Sequence, residues 1–160
     1  MKIAIISDTH DNIQNVEKVI EILNSEKVIA TFHCGDIISP FTLKKFSNLK
    51  SKIYIVFGNN DGDKIALLKN KPKNAEFFNL IGEVEIKGRK ILFTHYDIIA
   101  YAFAFTKKYD FIFYGHTHKA EVKKIGKTIL INPGELAGYL NKPSYAILNL
   151  KNKKVEIRNL

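Results

Sequence analysis

Residues 2–10 read Lys2-Ile3-Ala4-Ile5-Ile6-Ser7-Asp8-Thr9-His10, and the change of chemistry at Ser7 decides the fold. Lys2–Ile6 is apolar almost throughout, the pattern of a strand covered on both faces rather than one with a wet side. Side chains that can do chemistry begin where that strand ends. The arrangement recurs along the chain. Val28–Phe32 runs into His33-Cys34-Gly35-Asp36, and Ile53–Phe57 into Gly58-Asn59-Asn60-Asp61. Ile91–Phe93 runs into Thr94-His95, and Phe111–Tyr114 into Gly115-His116-Thr117-His118. Five strand-like runs therefore each deliver a carboxylate, amide or imidazole at their C-terminal end, the edge at which open α/β sheets bind ligands.

Outward from these runs the first half alternates strands with helical patterns. Ile13, Val16, Val19, Ile20 and Leu23 recur at helical spacing behind Asp11-Asn12, a pair suited to N-capping. Pro40 to Phe46 reads as a short helix with Ser39 as cap and Pro40 in the first turn. The second half carries hairpin signatures: Val84–Lys87 with Lys90–Phe93, Val122–Ile125 with Thr128–Ile131, and Tyr145–Leu150 with Val155–Arg158. Ile98–Tyr109 reads as a helix apolar on nearly every side, hence a buried one. The expectation is an α/β sandwich with parallel strands first and antiparallel additions after. No linker or repeat divides it, so residues 1–160 are expected to form one domain.

Composition narrows the function classes. A single cysteine, Cys34, excludes an internal disulfide framework and the cysteine-rich zinc modules. The longest apolar run, Ile98 to Phe105, is far short of the roughly 20 residues of a membrane helix. Ile3–Ile6 is too short for a signal-peptide core, so a cytoplasmic protein is expected. The 25 Lys+Arg against 16 Asp+Glu leave a net charge of +9, but Arg89 and Arg158 are the only arginines. Scattered lysines read as a solvated surface rather than a nucleic-acid groove, which would favour the bidentate arginine fork.

Taken singly, Asp8, Asp36 and the Gly58–Gly62 stretch fit turns, and a lone histidine fits a hydrogen-bonded core position. Together they describe a metal site. His116 and His118, two residues apart, share one face of an extended segment. Asp8, His10, Asp36, Asn59, His95, His116 and His118 offer imidazole, carboxylate and amide donors without thiolate. Such a set suits Mn, Fe, Ni or Zn better than Ca or Mg. Seven donors exceed what one catalytic ion takes while keeping an open position, so two divalent ions fit the count.

The motifs Asp8-x-His10, Gly35-Asp36, Gly58-Asn59-x-Asp61, His95 and Gly115-His116-x-His118 resemble those of the calcineurin-like metallophosphoesterases. The compact length, the Ser7–Asn12 opening and Asn132-Pro133-Gly134 are most similar to the YfcE-type phosphodiesterases. This resemblance, running from Met1 to about Leu150, implies a four-layer α-β-β-α sandwich of mixed sheets and a manganese-activated two-metal site. It implies Asp8, His10, Asp36 and His118 on one ion, and Asp36, Asn59, His95 and His116 on the other, with Asp36 bridging. It also implies a metal-bridging water or hydroxide attacking phosphorus in line, on a small phosphodiester or phosphomonoester. Asp36, Asn59 and Asp61 are then the residues closest to catalysis, with Asp61 orienting Asn59 or a histidine, or else serving only the turn. His33 is expected to be a hydrogen-bonded structural histidine and Cys34 a small buried side chain.

Three positions depart from the wider family. Asn60 replaces a histidine that protonates leaving groups, which disfavours alkoxide release and favours aryl or cyclic diesters. Tyr96 replaces a glycine, where its ring either narrows the pocket, stacks on substrate or simply packs. Glu135 replaces a serine after Asn132-Pro133-Gly134, putting a phosphate contact there in doubt. The resemblance carries two alternatives: a non-catalytic interaction scaffold, as in a retromer subunit, and a nuclease. The aromatic stretch Tyr101–Tyr109 reads either as core or as the subunit contact of a homo-oligomer.

Overall fold

The computed structural model describes all 160 residues. In chain order the elements are β1 (Lys2–Ile6), α1 (Ile13–Ser25), β2 (Ala30–His33), α2 (Pro40–Lys45), β3 (Lys52–Val56), α3 (Lys64–Lys69), β4 (Ala75–Phe78) and β5 (Ile81–Ile86). They continue as β6 (Arg89–Thr94), α4 (Asp97–Ala104), β7 (Phe111–Phe113), β8 (Glu121–Ile125), β9 (Thr128–Asn132), β10 (Ser144–Asn149) and β11 (Val155–Asn159). Two mixed sheets result, ordered β11-β10-β1-β2-β3-β4 and β5-β6-β7-β9-β8.

The layers follow from which faces are apolar. Val16, Val19, Ile20 and Leu23 of α1 pack with Leu43 and Phe46 against Ala4, Ile6, Ile53 and Ile55 on one side of the first sheet. The other side, with Ile3, Ile5 and Phe32, meets Ile91, Phe93, Phe111 and Phe113 of the second sheet. Phe32 lies edge-on to Phe93 at 5.1 Å and to Phe113 at 5.0 Å, between centroids. Each such ring, fully buried, stabilises by roughly 1.5–3 kcal/mol. Beyond the second sheet, Ala100 and Ala104 of α4 cover Leu92, Ile112 and Leu130. The order α-β-β-α is thus the four-layer sandwich expected from the sequence.

Several details differ from the sequence reading. Parallel pairing is not confined to the first half, because β6 pairs with β7 and β7 with β9 in parallel. The last hairpin, β10–β11, returns to the first sheet, antiparallel to β1. α3 and β4 were not anticipated. α4 ends at Ala104 rather than Tyr109, and it is not buried: Ile98 is 76% and Phe105 70% exposed. Ala100 and Ala104 sit closest against the second sheet, Tyr101 and Phe103 pack half-buried beside them, and Ile98 falls outward. Asn12 caps α1, its side chain accepting from Asn15 N–H. Ser39 makes no cap bond to α2; its N–H and hydroxyl instead donate to Asp11 Oδ1.

Candidate metal centre

The parallel registers β1–β2–β3 and β6–β7 put the five strand ends on one edge, where the two sheets face each other. Backbone bonds then lock the loops together. Asp8 N–H donates to Gly35 O at 3.0 Å, His10 N–H to Asp36 O at 3.1 Å, and Gly115 N–H to His95 O at 3.1 Å. Two glycines permit this approach: a Cβ at Gly58 would overlap the Asp36 carboxylate, and one at Gly115 would overlap Ser7 Oγ and Asp8 Oδ2. Asp8, His10, Asp36, His116 and His118 all lie at positive φ, between 41° and 66°. Left-handed backbone at a non-glycine residue costs on the order of 1–3 kcal/mol and persists only where surrounding bonds enforce it. Such strain gathers at functional sites.

All seven expected donors converge. Asp8 Oδ1 lies 3.4 Å from His118 Nε2 and 3.8 Å from His10 Nε2. Asp36 Oδ2 lies 3.5 Å from both His10 Nε2 and His95 Nε2. Asn59 Oδ1 is 2.9 Å from His95 Nε2, and His116 Nδ1 is 3.2 Å from the same atom. Two sets of donor atoms, Asp8–His10–His118 and Asp8–Asp36–His95, are each compact enough to surround an ion.

The donor chemistry fits a cation. His95 Nδ1 is 2.7 Å from the carbonyl of Cys34, an acceptor only, so the ring carries its proton on Nδ1. In the neutral ring the Nε2 lone pair then faces Asp36 Oδ2 and Asn59 Oδ1, three acceptors meeting with no proton among them. Asp8 Oδ1 and His10 Nε2 are buried with no hydrogen-bond partner. Ligand atoms about 2.1 Å from one ion at a tetrahedral angle stand about 3.4 Å apart, matching these gaps. Asp8, Asp36, Asp61 and Glu135 are all buried here, a concentration of carboxylates that needs compensating positive charge.

Burial alone would raise the Asp8 carboxyl, but His10, His95, Ser7 and His118 outweigh it and hold it below the usual carboxylate range. The nearby Asp8 carboxylate raises His10, against burial, with the Asp36 and Glu135 charges adding to the effect. His33 is not among the converging donors. Its Nδ1 accepts from Gly35 N–H at 3.2 Å and its Nε2 lies 3.2 Å from Thr9 Oγ1, while burial pushes its pKa down to about 4. Cys34 is buried, and burial raises its thiol well above the usual range.

Asp61 touches neither Asn59 nor a histidine. Its carboxylate accepts four backbone N–H groups: Gly58 at 2.7 Å, Ile37 and Ile38 at 2.8 Å, and Asp36 at 3.0 Å. It fixes the turn that presents Asp36, a larger task than holding its own turn. Asn60 brackets Asp36, its N–H donating to Oδ1 at 2.8 Å and its Nδ2 to Oδ2 at 2.7 Å. Asn132 Nδ2 donates to Gly115 O at 2.8 Å and Thr117 Oγ1 at 3.0 Å, steadying the turn that carries His116 and His118. Tyr96 sets its ring 5.2 Å from His95 and 5.3 Å from His116, on the rim of the centre. Sequence reasoning singled out Glu135 as a departure but missed its role: it is buried, with Oε2 3.0 Å from His118 Nδ1. Burial would raise its carboxyl, but the N–H groups of Tyr139, Asn141 and Leu140, with His118, hold it low. Its only sequence signal was an acidic residue directly after Asn132-Pro133-Gly134.

Comparison with known proteins gives the family and agrees with the fold. A family model described as the calcineurin-like phosphoesterase superfamily domain matches residues 1–153. A phosphodiesterase of Methanocaldococcus jannaschii is 40% identical over 161 residues, covering 96% of this chain and 96% of the relative. The solved structure of an archaeal phosphodiesterase has a TM-score of 0.93 at 37% identity and covers 100% of both chains. YfcE, a phosphoesterase from E. coli, has a TM-score of 0.73 over 99% of each chain; at 17% identity that likeness is one of fold. With the family match spanning nearly the whole sequence and the fold in agreement, this chain belongs to the calcineurin-like phosphoesterase superfamily.

Proposed function

We propose that the protein is a metal-dependent phosphodiesterase whose centre takes two divalent ions, Mn²⁺ foremost, with Ni²⁺, Fe²⁺ or Zn²⁺ as substitutes. The observation that carries this reading is the unbroken run of donors from His118 through Asp8, His10, Asp36 and His95 to Asn59 and His116. One ion would be held by Asp8, His10, Asp36 and His118, the other by Asp36, Asn59, His95 and His116. The equal 3.5 Å distances from Asp36 Oδ2 to His10 and His95 support a shared carboxylate there. When bound, such a pair supplies an activated water near neutral pH and positive charge for the phosphoryl oxygens.

The chain's own residues set what can be hydrolysed. Asn60 stands beside Asp36 with an amide far too weakly acidic to protonate a departing oxygen. Diesters whose leaving group is stable as an anion, such as aryl diesters, are therefore favoured over alkyl monoesters. Tyr96 on the rim, beside His95 and His116, offers such a leaving group an aromatic face. The 40% identical relative, itself a phosphodiesterase, supports the same substrate class. Asp36→Asn is the direct test, because it removes the shared negative charge and keeps the shape. Metal-dependent turnover of an aryl phosphodiester should vanish while thermal unfolding stays cooperative. A fully active Asp36→Asn protein would contradict the two-ion reading.

A further inference from the structure

Glu135 has a pattern of contacts that its place beside a metal-binding histidine does not require. A carboxylate has about four lone-pair sites, and here four donors occupy them. Oε2 takes His118 Nδ1 at 3.0 Å and Tyr139 N–H at 3.0 Å; Oε1 takes Leu140 N–H at 2.7 Å and Asn141 N–H. With every site filled, Glu135 has no oxygen left for an ion or for a phosphate. Its acceptors instead join two things, the imidazole of His118 and the backbone of the 139–141 loop.

That loop has little else to hold it. Tyr139 is 65% and Leu140 75% exposed, so burial contributes little to its position. It nevertheless reaches back to the centre twice more. The Tyr139 hydroxyl donates to His10 O at 3.0 Å, and Asn141 Nδ2 donates to His118 O at 3.0 Å. The Tyr139 ring stands 5.8 Å from the His10 ring. Directly after Glu135, before the loop, the chain is tied down: Leu136 N–H and Ala137 N–H donate to Ser7 O and Asp8 O at 3.0 and 2.9 Å.

We propose that Glu135 is a positioning residue that fixes His118 and the Tyr139–Asn141 loop as one unit. An ionised carboxylate only accepts, so the neutral His118 ring carries its proton on Nδ1, which turns the Nε2 lone pair towards Asp8 Oδ1, 3.4 Å away. The same carboxylate holds Tyr139 over His10, on the side of the centre away from Tyr96, whose ring contacts His95 and His116. This inference rests on the metal-centre reading above. Its consequence is that losing Glu135 weakens one ion site and frees one wall, leaving the donors of the other site in place.

The test begins with metal-free wild-type protein, whose histidine tautomers are read by long-range ¹H–¹⁵N NMR. His118 protonated on Nδ1 is the expected result, and His118 protonated on Nε2 overturns the proposal without any variant. Mn²⁺ titration calorimetry then compares wild type with Glu135→Gln and Glu135→Ala. A buried supporting partner of a metal-binding histidine is typically worth about 10–100-fold in affinity, expected here at one of two ions. Glu135→Asp, too short to span His118 and the loop, is expected to show the same loss if the other variants do not fold. Tyr139→Ala removes the wall and its bond to His10 O but leaves Glu135 on His118, and should raise KM for an aryl diester with a smaller loss of Mn²⁺ affinity than the Glu135 variants show. Wild type that binds two Mn²⁺, with variants that bind them equally well, refutes the role of Glu135 alone. Wild type that binds no Mn²⁺ refutes the metal centre itself.

Discussion

Asp61 shows how much one side chain can organise. Four backbone N–H groups from two loops end on its carboxylate, so truncation leaves several buried donors unsatisfied at once. A single buried unsatisfied group costs about 1–3 kcal/mol. Asp61→Ala is therefore expected to lower the unfolding free energy by about 3 kcal/mol in chemical denaturation. A loss under about 0.5 kcal/mol would mean that the turn holds itself. His33 makes a pH prediction with a definite sign. Burial, with the His95 and His10 charges, lowers its pKa to about 4 from 6.5, while Asp61 and Asp8 pull the other way. Between these values the unfolded chain binds a proton that the folded chain refuses, so stability falls as pH drops from 6.5 towards 4. The raised pKa of His10 acts in the opposite sense, which is why the wild type must be compared with His33→Gln. In metal-free protein the variant should lose part of the acid-side slope; an unchanged slope would mean that His33 is already protonated in the fold.

At the scale of elements, α4 is where sequence and structure part. A run apolar on every side has no polar stripe to show which face meets solvent, and this one reads as buried. Packing instead selects Ala100 and Ala104 for the interface, leaving Ile98 outward. Ile98→Lys should then change stability by less than about 0.5 kcal/mol, whereas a loss of about 2 kcal/mol or more would restore the buried reading. The strand ends were legible for a different reason. An apolar run that stops at an Asp or His reports both an element and its functional edge, and parallel pairing brings such edges together without further information. α3 and β4 gave no comparable signal, being six and four residues long with no clear period. The task of Glu135 was out of reach because its partners, His118 and the 139–141 loop, meet it only after β9 and β10 are placed in different sheets. The task of Asp61 was hidden likewise, since its partners are backbone amides with no identity in the sequence.

For the whole molecule, the two sheets form one scaffold with a single shared edge. Asp8, Asp36 and Asn59 follow strands of the first sheet; His95, His116 and His118 follow strands of the second. A centre built across that seam brings together buried carboxylates that the aromatic core alone gives no reason to collect. No helix is long and apolar enough to cross a membrane. The most direct measurement is hydrolysis of an aryl phosphodiester by metal-stripped protein at neutral pH, with Mn²⁺ withheld and then restored. Turnover that appears only on restoring the ion is expected. Absence of turnover with Mn²⁺, Ni²⁺, Zn²⁺ or Fe²⁺, in protein proven to bind two ions, would contradict a metal-dependent phosphodiesterase.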